Sequence, residues 1–197
     1  MNKKLDQQYW DERYHQQATG WDIGNVSTPL KEYIDQLTNK DLAILIPGCG
    51  NAYEARYLLN KGFTNITVVD ISPVLLEAIT NSFSDITDNR ITMICDDFFN
   101  LQPGYDLVLE QTFFCALDPV MRASYVRKMA EILNPGGKLV GILFNRPFEG
   151  GPPFGGNVDE YRQLFTSFFE IQTLEFCHNS IEPRAGSEVF IKALVKK

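Results

Sequence analysis

The run Ile44-Leu45-Ile46-Pro47-Gly48-Cys49-Gly50-Asn51-Ala52 constrains this chain more than any other stretch. An apolar run that ends in a glycine turn and passes at once into a helical pattern, about 53–61, reads as a buried strand feeding a helix. Asp70 closes the next apolar run, about 20 residues beyond Gly50, the offset at which an acidic residue meets ribose hydroxyls in nucleotide-binding α/β units. Apolar runs then alternate with helical patterns. Strands are expected at 42–46, 66–70, 91–95, 106–110, 138–144, 170–177 and 188–195. Helices are expected at 53–61, from Ser72-Pro73 to about 83, from Asp118-Pro119 to 133, and at 158–168. No helix separates the last two strands. The pattern therefore predicts an α/β fold: a Rossmann-like, seven-stranded, mostly parallel sheet with an antiparallel strand 6–7 hairpin at one edge and helices on both faces.

Upstream lie a short aromatic helix (Tyr9, Trp10, Tyr14), the turn Gly20-Trp21-Asp22-Ile23-Gly24, and a helix start at Ser27-Thr28-Pro29, a hydroxyl cap with proline at the first helical position. One domain, 1–197, is expected, with 1–40 as a helical cover over the site and 41–197 as the core. The 13-residue loop 145–157 is dense in proline and glycine, a length that points to function. Net charge is −7 without a basic cluster, which argues against a nucleic-acid partner. With no leader and no apolar run long enough to span a membrane, the expectation is a cytoplasmic protein, monomeric by preference, with a small-molecule substrate. Cys49, Cys95, Cys115 and Cys177 lie in or beside apolar runs and read as reduced core thiols.

Ligands of such sheets bind off the carboxyl ends of the strands. Those ends deliver Gly48 and Gly50, then Asp70, then Asp96, Asp97 and Phe98, then Glu110 and Gln111. The glycines admit a ligand close to the backbone. Asp70 can accept from two ribose hydroxyls, Asp97 from an adenine amino group, and Phe98 can pack on the base. A dinucleotide site wants a third glycine where this chain has Tyr53, which crowds the place of a pyrophosphate. The form ending at Ala52 suits a phosphate-free ligand, and S-adenosyl-L-methionine is one. No metal is expected.

With these motifs the chain resembles the class I S-adenosylmethionine-dependent methyltransferases, and more narrowly the thiopurine S-methyltransferase family and its thiol/halide methyltransferase branch. The landmarks are Trp10-Asp11-Glu12-Arg13-Tyr14, Gly20–Gly24, Ile46–Gly50, Val69-Asp70-Ile71-Ser72, Phe113-Phe114-Cys115-Ala116-Leu117-Asp118-Pro119 and Gly151-Pro152-Pro153-Phe154. The resemblance implies that Trp10, Tyr14 and Trp21 fold over the cofactor and that Gly48, Gly50, Asp70, Ile71, Asp97, Phe98 and Gln111 contact it. Gln111 stands where thiopurine enzymes carry arginine, and Phe144 where plant halide-type relatives carry tyrosine. Both departures bear on the acceptor.

Aromatic faces attract a sulfonium without competing as nucleophiles, roughly 0.5–2 kcal/mol each. An apolar wall of Trp21, Phe113, Phe114, Phe144, Phe148 and Phe154 suits a small soft nucleophile: a thiol, hydrosulfide, halide or thiopurine-like thiol. Such acceptors need no general base, so no catalytic acid or base is assigned, and Trp21, Phe113, Phe114 and Phe144 position the reactants. An oxygen or nitrogen acceptor would require a base; Glu110 is the one carboxylate at a strand end that could serve, and it more readily borders the cofactor. His15 and His178 read as surface residues. Arg146 and Arg184 are candidates for attracting an anionic acceptor. The alternatives are a small-molecule O- or N-methyltransferase, or a non-catalytic S-adenosylmethionine-binding protein.

Overall fold

The computed structural model describes residues 4–86 and 89–196. Its strands are β1 (Ile44–Pro47), β2 (Ile66–Asp70), β3 (Ile91–Cys95), β4 (Tyr105–Gln111), β5 (Leu133–Phe144), β6 (Phe169–Phe176) and β7 (Glu188–Val195). They form one sheet in the order β3-β2-β1-β4-β5-β7-β6. The first five are parallel, and β7 runs antiparallel to both β5 and β6. The expected hairpin is therefore present, with β7 inside it and β6 at the edge. The winding reverses between β1 and β4, so their carboxyl ends open the crevice where such sheets bind ligands.

Side-chain alternation divides the core into two layers. Ile44, Ile46, Ile66, Val68, Leu107, Leu109, Val140 and Ile142 face α2 (Thr28–Asp35), α3 (Tyr53–Asn60) and α4 (Pro73–Ser82). Leu45, Val108, Leu139, Leu143, Val189 and Ile191 face α5 (Arg122–Ile132) and α6 (Val158–Phe165). Strands covered on both faces read as unbroken apolar runs, which is why β1 and β2 are apolar almost throughout. The remaining helix, α1 (Gln7–His15), packs against α4 rather than the sheet.

Three local expectations are corrected. Ser27 occupies the N-cap of α2, but its hydroxyl makes no capping bond; its amide instead donates to the buried Glu54 Oε1 at 3.0 Å, tying α2 to α3. The segment Asn134–Gly137 does end α5, yet β5 already pairs at Leu133 with Tyr105 and resumes at Lys138 after a register shift, so the Pro-Gly run is an irregularity within the strand. Cys95 is exposed, whereas Cys49 and Cys115 are buried, Cys177 is half-buried, and all four are free thiols. No helix of the described residues is long and apolar enough to cross a membrane.

Candidate active site

The floor is the turn after β1. Gly48, Gly50 and Ala52 adopt φ of +56°, +50° and +54°, three left-handed residues within five positions. Two are glycine, which takes this conformation freely; at Ala52 it costs roughly 1–2 kcal/mol. A Cβ at Gly50 would meet open space, whereas one at Gly48 would be driven into the Phe113 ring. Gly48→Ala is therefore expected to lower stability by about 3 kcal/mol, from a left-handed alanine plus a displaced ring. Urea unfolding would reveal it, and a wild-type midpoint would show that the ring moves away freely.

β2 ends in Asp70, 8% exposed, whose Oδ1 accepts the Ser72 amide at 3.0 Å. The local turn is thus real, but Ser72 itself caps α4 through the Leu75 amide at 3.2 Å, so Asp70 is not that cap. Burial pushes the Asp70 carboxyl up to about 6, against the pull of the Ser72, Gly50 and Ile71 amides and helped by the nearby Asp11 charge. Ile71 follows, half-buried. Asp97 is exposed, and its Oδ1 accepts the Phe99 amide at 2.9 Å, capping a short 3₁₀ turn. Phe98 does not offer the open ring face expected for packing on a base. It is 4% exposed and sits in the α5-side core, 5.4 Å from the Phe113 ring and 5.7 Å from Tyr125. β4 delivers Gln111, whose Oε1 is buried with no hydrogen-bond partner among the described residues.

The N-terminal segment covers these strand ends. Trp21 is met edge-to-face by Trp10 at 5.6 Å and by Tyr14 at 5.9 Å. Burial, and after it the Asp70 charge, pushes the Tyr14 phenol well up. Ser72 Oγ donates to Asp11 Oδ1 at 2.5 Å, fastening α1 over the start of α4. The Trp21 turn is held at both ends. Asn51 Nδ2 donates to Asp22 Oδ2 at 2.6 Å, the Tyr53 hydroxyl donates to the same oxygen at 3.3 Å, and Arg184 Nη2 donates to the Trp21 carbonyl at 2.6 Å. Tyr53, read from the sequence as an obstacle to pyrophosphate, thus also anchors the cover. Asp11 and Asp22, present in the sequence motifs but assigned no role there, are the anchoring carboxylates. Asp22 lies two residues before a glycine, where its Oδ1 accepts the Gly24 amide at 2.7 Å, a turn signal legible in the sequence.

Of the aromatic wall, Phe113, Phe144, Phe148 and Phe154 are half-buried. Phe144 and Phe148 meet at 5.0 Å, with the Arg184 guanidinium 5.4 Å from the Phe144 ring and Arg146 4.9 Å from Phe148. Phe114 departs from the expectation: it is 1% exposed and packs on Tyr125, Tyr161 and Phe165 in the core. Arg184 also pairs with the buried Glu188 at 3.2 Å. Loop 145–157 is fastened by the Phe154 amide on the Cys115 carbonyl (2.7 Å), by Arg122 on the Gly155 carbonyl (2.6 Å) and by the Val158 amide on Asn145 (3.0 Å). His15 and His178 are both exposed, and His178 lies 3.2 Å from Glu32.

A Rossmann-like sheet with β7 inserted antiparallel between β5 and β6, a glycine turn, an acidic β2 terminus and an aromatic cover is the architecture of the S-adenosylmethionine-dependent methyltransferases. The thiopurine S-methyltransferase family model matches residues 5–194, and the chain belongs to that family. It is 28% identical to the "Probable thiol methyltransferase 2" of Arabidopsis thaliana over 186 residues, covering 91% of this chain and 81% of the relative. It is 24% identical to a thiopurine S-methyltransferase of Photobacterium profundum, covering 82% and 83%. Among solved structures, the 1,6-didemethyltoxoflavin-N1-methyltransferase of Burkholderia thailandensis, with bound S-adenosylhomocysteine, shares the fold at a TM-score of 0.76 and 16% identity over 97% of this chain and 87% of that one. The magnesium protoporphyrin IX methyltransferase of Synechocystis, with its cofactor bound, gives 0.74 at 13% identity over the whole of both chains.

Proposed function

We propose that this enzyme methylates small soft nucleophiles, namely thiols, hydrosulfide, halides or thiopurine-like thiols, in a pocket bounded by Trp21, Phe113, Phe144 and Phe148. One observation carries the acceptor reading: Phe113 lies on the glycine turn, and a second aromatic pair off the strand ends carries two cations, Arg184 over Phe144 and Arg146 over Phe148. The chemistry of the crevice fits the cofactor. The buried Asp70 carboxylate faces no cation among the described residues and can accept two ribose hydroxyls. Gly50 leaves open backbone, and the unpartnered Gln111 Oε1 is an acceptor awaiting a donor. Asp97, Ile71 and the Phe98 backbone complete the proposed adenosyl wall, and Trp10, Tyr14 and Trp21 close it.

S-adenosylmethionine supplies a methyl group activated on a cationic sulfur. The residues of this chain do the rest. The aromatic cover presents ring faces, which draw a cation inward and offer no nucleophile. The apolar wall keeps water from an anionic acceptor, whose reactivity rises as it sheds hydration. Fixing the two partners in line supplies much of the remaining acceleration. Glu110 is buried and its Oε1 accepts the Phe114 amide, which supports a reading without a general base.

Identifying which acceptors take a labelled methyl group tests the reading. Within that assay Arg146→Gln is expected to raise the KM for thiocyanate or iodide about threefold, as befits an exposed cation, and to leave a neutral thiol unaffected. Equal effects on charged and neutral acceptors would remove Arg146 from the account.

A further inference from the structure

Glu110 is a carboxyl group that methyl transfer leaves unused, yet the fold is shaped around it. It is 1% exposed, one residue before the end of β4, and enters the layer beneath α5 and α6. Its neighbour on β5 is Gly141, where a Cβ would lie 2.6 Å from Glu110 Cβ and 3.1 Å from its Oε2. Only glycine leaves room for the side chain. Oε1 accepts the Phe114 amide at 2.7 Å, and the Phe113 amide also faces the carboxyl. Oε2 has no partner among the described residues.

The turn that these amides belong to is strained and central. Thr112 has φ +62°, unusual for a β-branched residue. Its carbonyl accepts the Cys115 thiol at 3.0 Å, and the Cys115 carbonyl accepts the Phe154 amide at 2.7 Å. Residues 112–116 therefore lay the Phe113 ring on Gly48 and also receive the Pro-Pro-Phe segment. Strain of this kind persists where the surroundings over-determine it.

We infer that Glu110 is a positioning residue: its ionised carboxylate clamps the 112–116 turn, holds Phe113 against the glycine turn, and makes methyl transfer depend on pH although no base touches the acceptor. Bonds from amides to a carboxylate are roughly twice as strong as those to a neutral acceptor, so ionisation tightens the clamp. Burial pushes this carboxyl up to about 7, while the Phe114 and Phe113 amides pull it down. The titratable groups around it are Cys115 in the turn, Tyr125 on α5 and Tyr161 on α6; beyond them lie Arg184 and the Arg122–Glu160 ion pair. Burial pushes the thiol and both phenols upward, away from neutrality. The Asp70 carboxyl rises only to about 6 and lies in the cofactor crevice, so saturating cofactor separates the two.

The activity arm rests on the proposed acceptor class; the spectroscopic arm does not. Iodide keeps one protonation state across roughly pH 5.5–8.5, so a pH dependence with iodide at saturating cofactor belongs to the protein. Wild-type turnover is expected to rise about fivefold through a midpoint near 7, and Glu110→Gln, which cannot ionise, to give a flat profile about threefold below the wild-type plateau. In the cofactor-free protein, the Phe114 amide resonance is expected to shift with the same midpoint, and not in Glu110→Gln. Two results overturn the inference. One is a wild-type Phe114 amide that does not titrate, a result that needs no variant to fold. The other is a Glu110→Gln variant whose iodide turnover still rises through pH 7 as the wild type does, which would assign the titration to another group. Absence of iodide turnover counts against the acceptor class instead, and the amide titration then decides the clamp by itself.

Discussion

Asp70→Ala is expected to weaken S-adenosylmethionine binding by at least about a hundredfold, because two hydrogen bonds to a charged group, each worth roughly 1.5–3 kcal/mol, are lost together. Titration calorimetry reads this directly, and an affinity within threefold of wild type would remove Asp70 from the ribose site. The wild-type affinity should itself depend on pH. Burial raises the Asp70 carboxyl to about 6 in the cofactor-free protein. Ribose hydroxyls donate to the ionised form, so binding is expected to strengthen as pH rises through 6. Stability runs the other way. The folded carboxyl holds a proton that an unfolded aspartate releases near pH 4, so its contribution is fully present below about 4 and is lost as pH rises through about 6. Asp70→Asn is accordingly expected to flatten both dependences.

Trp21→Ala is expected to lower turnover at saturating cofactor by about two orders of magnitude, more than it weakens cofactor binding. Trp21 is where the cover converges: two rings meet it edge-to-face, and its carbonyl is held by Arg184. Edge-to-face pairs contribute roughly 0.5–1.5 kcal/mol each beyond the area they bury. Loss of two such pairs and of a cation-attracting face totals about 3 kcal/mol, or two decades in rate. Trp21→Phe retains a ring face and is expected to recover at least a tenth of the activity. A variant of wild-type turnover would show that the cover plays no part in methyl transfer.

The sheet was legible because strands buried on both faces announce themselves. The ends of β2, β3 and β7 fall where the sequence placed them, and those of β1 and β4 within two residues. The glycine turn, Asp70 and Gln111 were also legible, since their offsets from strand ends are fixed by the winding of the chain. What the sequence could not resolve was the side to which neighbouring aromatics turn. Phe113 and Phe114 are adjacent and chemically identical, yet one lies on the glycine turn and the other fills the core. Left-handed Thr112 redirects the chain just before them, and nothing in a threonine announces a positive φ. Phe98 misled for the same reason: a strand-end position fits a base-packing ring and a core ring equally. Arg184, a candidate in the sequence for attracting an anionic acceptor, also holds a carbonyl 163 residues away, a contact that only the fold reveals.

The central claim, methyl transfer to a small soft nucleophile, is tested most directly by supplying S-adenosylmethionine carrying a labelled methyl group and offering iodide, hydrosulfide, thiocyanate, an aromatic thiol, a thiopurine, a phenol and an amine in turn. Labelled product is expected with one or more of the sulfur or halide acceptors, well above the Trp21→Ala background, and not with the phenol or the amine. Label appearing only on oxygen or nitrogen, or on none of the sulfur and halide acceptors above that background, would contradict it.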